Sequence, residues 1–129
     1  MIIFTNGCFD IIHRGHIELL RYCQNQGKKV IVGLNSDKSI SRLKGADRPI
    51  NNQADRKLIL ESLIYVDEVV IFEEDTPYNL IKCINPDIIV KGGDYTVKEV
   101  VGNDIAHVKI FEFVDGYSTS KTIKNISDR

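Results

Sequence analysis

The chain alternates short apolar runs with longer stretches in which apolar residues recur every three or four positions. Met1 to Thr5, "MIIFT", is a short apolar strand candidate that runs into Asn6-Gly7, a turn signal. Ile17, Leu20 and Cys23 keep helical spacing and predict a helix from about Gly15 to Gln26, stopped by Gly27. "VIVGL" (Val30 to Leu34) is continuous and rich in β-branched residues, as in a strand buried on both faces of a parallel sheet. The polar stretch "NSDKSISRLKGADRPI" reads as a connection with glycine and proline in it. Leu60, Leu63 and Ile64 predict a helix over about Asn52 to Tyr65, and "EVVIF" (Glu68 to Phe72) a third strand. Thr76 is the expected cap, and Pro77 the first residue, of a helix that carries Leu80, Ile81 and Ile84 and ends near Asn85-Pro86. "DIIV" (Asp87 to Val90) and "HVKIFEF" (His107 to Phe113) are the fourth and fifth strands. A last helix is expected from about Ser118, with Ile123 and Ile126 inward.

Strands that alternate with helices predict βαβ units: an α/β fold with about five parallel strands and helices on both faces. In such sheets ligands bind beyond the carboxyl ends of the strands, where strand order reverses. The loops after strands one, two, four and five read "NGCFDIIHRGH", "NSDKSISRLKGADRP", "KGGDY" and "DGYSTSK". They hold the glycine, hydroxyl and lysine side chains expected of a polar site. Strand three runs into "EEDTP", which reads as an ordinary acidic helix entry.

The 129 residues suit one domain, residues 1–129, with a single core. A formal charge of -1 argues against a nucleic-acid partner held by a global basic field, so any anion site is local. Every apolar run is far shorter than the roughly 20 residues of a membrane span, and "MIIF" does not read as a signal peptide, so no membrane contact is expected. Cys8, Cys23 and Cys83 form no C-x-x-C and read as reduced thiols of a cytoplasmic protein.

His13 and His16 lie one turn apart at a predicted helix start, where N–H groups are free and the partial charge is positive. Three readings are open: metal ligands, residues that decorate a helix start, or an anion site. Zinc needs three or four ligands, and Cys8 and Asp10 alone extend the pair. The preceding strand, the Asn6-Gly7 turn and Gly15, where a ligand can approach the backbone, favour the anion.

"TNGCFDIIHRGHIELL" resembles the signature of the H-x-G-H nucleotidyltransferase superfamily, whose sheet is Rossmann-like and doubly wound. "VGLNSDKSISRLKGADRPI", "RKLILESLIYVDEVVIFEEDTPYNLI", "PDIIVKGGDY" and "DGYSTSKTI" extend the likeness over nearly the whole chain, most closely to the adenylyltransferase domains of ADP-heptose synthases. Two features depart from that family. No sugar-kinase domain precedes this one, which implies a separate kinase in the pathway, and the segment before the fifth strand is shortened to "NDIA".

The resemblance implies transfer of AMP from ATP to D-glycero-β-D-manno-heptose 1-phosphate, in a homodimer, with Mg²⁺ held by phosphate oxygens and water and no metal ligand from the protein. It assigns His13 and His16 to the α-phosphate and the leaving pyrophosphate, and Lys44 to a bridge between nucleotide and acceptor, with Arg48 second at the acceptor phosphate. Thr5, Asn6, Gly7, Phe9 and Gly15 then face the nucleotide from the first strand and turn. Lys91, Gly92 and Asp94 shape the ribose and base pocket, and Ser118, Thr119 and Ser120 reach the triphosphate. Each has a plainer reading: a solvated lysine at Lys44, a bare turn at Gly92 and its neighbours, helix capping at Ser118 to Ser120. A cytidylyltransferase acting on glycerol 3-phosphate, or a non-catalytic nucleotide-binding module, are the rival functions. Intact His13, Gly15, His16 and Lys44 argue against the second rival.

Overall fold

A computed structural model describes residues 1–112. The five strands are β1 (Ile2–Gly7), β2 (Lys29–Asn35), β3 (Glu68–Phe72), β4 (Ile88–Gly92) and β5 (His107–Phe111). All pair in parallel, in the order β3-β2-β1-β4-β5. The chain winds outward from β1 through β2 to β3, then crosses back to lay β4 on the other side of β1. The strand order therefore reverses between β1 and β4, and the expected α/β sheet is present. Gly92 and Phe111, the last residues of β4 and β5, stand in register. The expected last helix, with Ile123 and Ile126, lies outside the described residues, as do Phe113, Ser118, Thr119 and Ser120.

Alternate residues of each strand feed two cores, as the two-residue strand period requires. Ile3, Val30, Val32, Val69 and Val90 pack under helices α1 (Arg14–Gln26) and α3 (Gln53–Glu61), which contribute Leu19, Leu20, Cys23 and Leu60. Phe4, Ile31, Ile89 and Val108 pack on the other face with Ile81 of α4 (Tyr78–Ile84) and Val100, which follows a 3₁₀ turn (Val97–Glu99). Gly33 of β2 is where this face comes closest. A Cβ there would stand 2.6 Å from the Phe4 ring.

Two local expectations change. The polar stretch after β2 holds a helix, α2 (Asp37–Lys44), started by Ser36, whose hydroxyl accepts from Ser39 N at 3.1 Å. Among its apolar residues Ile40 is buried and Leu43 is more than half exposed, so the helix shows no apolar stripe in sequence. At α4, Pro77 takes the N-cap position rather than the first helical one, and no side chain caps that end.

The pairing of β1 is unequal. Against β2 it runs in register from Ile2–Lys29 to Gly7–Leu34. Against β4 it pairs at Ile3–Ile88 and Phe4–Ile89, and no register continues beyond them. The carboxyl ends of β1 and β4 therefore part.

Candidate active site

Where β1 and β4 part, a cavity of about 470 Å³ opens. The β1 end supplies Asn6 and Gly7, the following turn Cys8 and Phe9, and helix α1 His16 and Leu19. Asn35 closes it from β2, and Leu43 and Lys44 from the end of α2. Lys91, Gly92 and Tyr95 line the β4 side. The loop after β3 contributes Asp75, Thr76 and Pro77, which the sequence had presented as a plain helix entry. Polar chemistry thus gathers from the ends of all four strands that border the site.

The turn after β1 is built tightly. Phe9 has a φ of +45° and its ring is buried. A Cβ on Gly7 would come within 3.1 Å of that ring, so a larger residue there would have to push the ring aside. The Phe9 ring lies tilted against His16, with centroids 5.1 Å apart.

His13 and His16 cap one another. His13 is the N-cap of α1, and its Nδ1 accepts from Gly15 N at 3.0 Å. His16 Nδ1 accepts from His13 N at 3.2 Å. The rings stack with centroids 3.9 Å apart. A nitrogen that accepts carries no proton, so each neutral ring holds its proton on Nε2. Burial, the neighbouring His13 and the Lys44 charge hold the His16 pKa down to about 3, and burial lowers that of His13. The pair therefore presents neutral N–H donors rather than cations at pH 7. Gly15 N, which the sequence left free for an anion, is already used by His13.

Charge comes from elsewhere. Lys44 ends α2 and is exposed at the cavity. Lys91 lies opposite, its Nζ 5.1 Å from the centre of the Tyr95 ring, and burial lowers its pKa against an opposing pull from Cys8. Burial likewise pushes the Cys8 thiol up, against the lowering fields of Lys44, Arg56 and Arg48.

Two buried side chains fix the loops that carry these groups. Arg56 of α3 is fully buried. Its Nη1 donates to Cys8 O at 2.9 Å and Asn35 O at 2.8 Å, its Nε to Asn51 O at 2.9 Å and its Nη2 to Asp37 Oδ1 at 2.8 Å. One guanidinium thereby ties the end of β1, the end of β2, the start of α2 and the approach to α3. Asp10, 1% exposed, accepts from Ile50 N at 2.7 Å and Asn51 N at 2.8 Å and sits 3.5 Å from Arg48 Nε. Sequence reasoning gave Arg56 no role. The signal was its position four residues before buried Leu60, on the inward stripe of α3.

The remaining expected residues fall as follows. Thr5 is buried in β1 at 1% exposure and does not line the cavity. Gly15 is buried in the first turn of α1, and Asp94 is exposed beyond β4 away from the lining. His13 backs His16 from outside the lining. Arg48 turns to Asp10, and its Nε and Nη2 are buried without a hydrogen-bond partner among the described residues.

A family model described as cytidylyltransferase-like matches residues 4–125. The chain belongs to the cytidylyltransferase-like family. Curated relatives within reach of this family member include the bifunctional protein HldE of Aliarcobacter butzleri, 59% identical over 128 residues, which covers 98% of this chain and 27% of that one. HldE of Nitratiruptor sp. is 59% identical over 126 residues, 97% of this chain and 27% of the relative. The chain thus spans about a quarter (27%) of the length of these relatives. Among solved structures, a lipopolysaccharide core biosynthesis protein from Thermoplasma volcanium superposes with a TM-score of 0.74 at 25% identity, over 92% of this chain and 98% of that one. A pantothenate synthetase from Thermus thermophilus shares the fold, with a TM-score of 0.59 at 16% identity over 88% of this chain and 56% of the other. The cavity at the β1–β4 parting gathers His16, Lys44, Lys91 and four more of the expected site residues. Among the described residues, no helix is long and apolar enough to cross a membrane.

Proposed function

We propose that residues 1–129 act as one adenylyltransferase unit that joins AMP from ATP to D-glycero-β-D-manno-heptose 1-phosphate, giving ADP-heptose and pyrophosphate. The observation that carries this reading is the composition of the cavity. It gathers a neutral histidine donor, His16, and two lysines, Lys44 and Lys91, at the strand-order reversal. The high identity to the HldE proteins supports the choice of sugar.

An acceptor phosphate monoester has its second pKa near ~6 and is already ionised at neutral pH, so no base is needed. Its oxygen attacks the α-phosphorus, a P–O bond forms, and the bond to the bridging oxygen breaks in line, so that pyrophosphate leaves with the electron pair. The protein must align the two and stabilise charge at the five-coordinate phosphorus. His16 Nε2–H donates to a non-bridging α-oxygen, while His13 holds its ring. Lys44 spans the α-phosphate and the acceptor phosphate, while Arg48, paired with Asp10 and part-buried outside the cavity lining, braces the loop that follows Lys44. Asn6, Gly7, Phe9, Lys91 and Gly92 shape the nucleotide's side, and the likeness alone adds Ser118 to Ser120, outside the described residues, as triphosphate contacts.

Among the described residues no three His, Cys, Asp or Glu side chains gather to hold a metal, and the cavity's carboxylate, Asp75, is paired with Arg42. That donor set fits Mg²⁺ brought in on the triphosphate, with phosphate and water as its ligands, where it would offset charge on the departing pyrophosphate. A homodimer is proposed from the likeness alone, together with a sugar kinase on another chain or on the same one, as the relatives' "bifunctional" name suggests. A cytoplasmic setting fits the three free thiols.

The test is a pyrophosphate-release panel of ATP, CTP, GTP and UTP against sugar 1-phosphates and glycerol 3-phosphate. ATP with the heptose phosphate should be the fastest pair. CTP with glycerol 3-phosphate as the fastest would overturn the reading.

A further inference from the structure

Among the described residues, the cavity contains one carboxylate, set apart from the lysines that suit a triphosphate. Asp75 lines it from the loop after β3, facing the same space as Lys44 and Lys91. A carboxylate repels phosphate oxygens and, although Arg42 offsets part of its charge, that wall suits hydroxyl groups better than phosphate. It is also held in place. Asp75 Oδ1 accepts from Arg42 Nε at 3.1 Å, and Arg42 Nη2 donates to Glu73 O. Arg42 lies in α2 two residues before Lys44, so this clasp joins the wall that carries Asp75 to the helix that carries Lys44.

Asp75 Oδ2 and the Thr76 hydroxyl make no hydrogen bond among the described residues, and both residues are exposed at the cavity. From the β4 side Tyr95, 44% exposed, offers an aromatic ring over which Lys91 already sits. A carboxylate oxygen and a hydroxyl on one wall, with a ring and an ammonium on the other, match a polyhydroxylated molecule. The carboxylate accepts from hydroxyls by charge-assisted bonds, and the apolar face of the ring packs on carbon-bound hydrogens.

We propose that Asp75 and Thr76, with Tyr95 opposite, form the subsite for the hydroxyl-bearing end of the acceptor. They select a sugar phosphate over a smaller phosphate, while Arg42 acts as the positioning residue for Asp75. The acceptor then lies with its phosphate at Lys44 and its hydroxyls toward the loop after β3. This deepens the proposed function and rests on its assignment of the acceptor to this cavity. A site built to bond a hydroxyl discriminates strongly against analogues that lack it, because its polar groups are otherwise left unpaired.

The experiment measures KM and kcat for ATP, for the best sugar 1-phosphate of the panel and for glycerol 3-phosphate, in wild type, Asp75→Asn, Thr76→Val and Arg42→Gln. For Asp75→Asn, KM for the sugar phosphate should rise about tenfold or more, as loss of a charge-assisted bond gives. KM for ATP should stay within about twofold, and the preference over glycerol 3-phosphate should shrink in step. Thr76→Val should move the same ratio less, and Arg42→Gln should raise the sugar KM without changing kcat. An equal rise for ATP and sugar, or an unchanged preference, overturns the subsite. If glycerol 3-phosphate alone reacts, the heptose reading fails. The subsite is then judged on the same split between KM for glycerol 3-phosphate and KM for ATP. If no acceptor reacts, saturation-transfer binding of the sugar phosphates decides it. Binding lost in Asp75→Asn upholds the subsite, and binding unchanged refutes it.

Discussion

Replacing Arg56 should loosen the fold and the site together. Its guanidinium is fully buried and bonds to four acceptors on four segments: Cys8 O, Asn35 O, Asn51 O and Asp37 Oδ1. Arg56→Ala strands three backbone carbonyls, while the half-exposed Asp37 carboxylate recovers water. A buried acceptor left without a partner costs about 1–3 kcal/mol. Water entering the vacated space favours the low end, which gives about 3 kcal/mol for the three. Against a typical stability of about 5–15 kcal/mol, the variant should remain folded in the cold and unfold at markedly lower urea. Arg56→Lys keeps the charge but reaches one or two of the acceptors, so it should recover less than half of the loss. Urea titration followed by circular dichroism, with the slope compared to wild type, measures both. A loss below about 1 kcal/mol for Arg56→Ala would show that these four bonds do not hold the loops.

Three further outcomes follow from the same geometry. His16 has a folded pKa of about 3 against 6.5 for the free side chain, so below pH 6.5 the unfolded chain takes up a proton that the folded one refuses. Stability is therefore full above pH 6.5 and should fall toward pH 3 by up to about 1.4 kcal/mol per pH unit. His16→Asn, which keeps an acceptor for His13 N, should flatten that slope in urea titrations run from pH 7 to 4, and an unchanged slope would clear His16 of it. Lys44→Ala should raise KM for the sugar phosphate and slow turnover by roughly 10²-fold in a pyrophosphate-release assay; unchanged kinetics would remove Lys44 from the site. Asp10→Asn keeps the volume but gives up a charged acceptor for Ile50 N and Asn51 N. It should cost about 2 kcal/mol, read from the urea midpoint, and a midpoint shift equal to that of an exposed-residue control would contradict the anchoring role.

The alternation of β-branched runs with helical spacing was enough to read all five strands within two residues and to place the histidine turn at a strand end. It was enough because these signals are local. The missing helix α2 is local too, but its apolar content is a single buried residue, Ile40, and its start rests on Ser36. Arg56 escaped notice because an arginine on an amphipathic helix reads as a solvated charge. Its burial arises from carbonyls at Cys8 and Asn35, distant in sequence. The protonation state of His16 was equally illegible, since it depends on burial and on charges brought in by α2. The site side of the loop after β3 depends on Arg42, a contact made across two elements.

The early parting of β1 and β4 gives the ligand a mechanical part to play. Beyond Phe4 and Ile89 the two strands no longer pair, so the sheet behaves as two panels joined along a short seam. One panel carries β3, β2, β1 and the histidines, the other β4, β5 and Lys91. A molecule seated between Asn6 on one side and Lys91 and Gly92 on the other acts as a keystone across that seam. Affinity for substrate and cohesion of the two panels are then one free energy, which grows as RT ln(1 + [L]/Kd) with ligand concentration. A substitution that weakens the seam should therefore surface first as a loss of affinity, before any loss of fold.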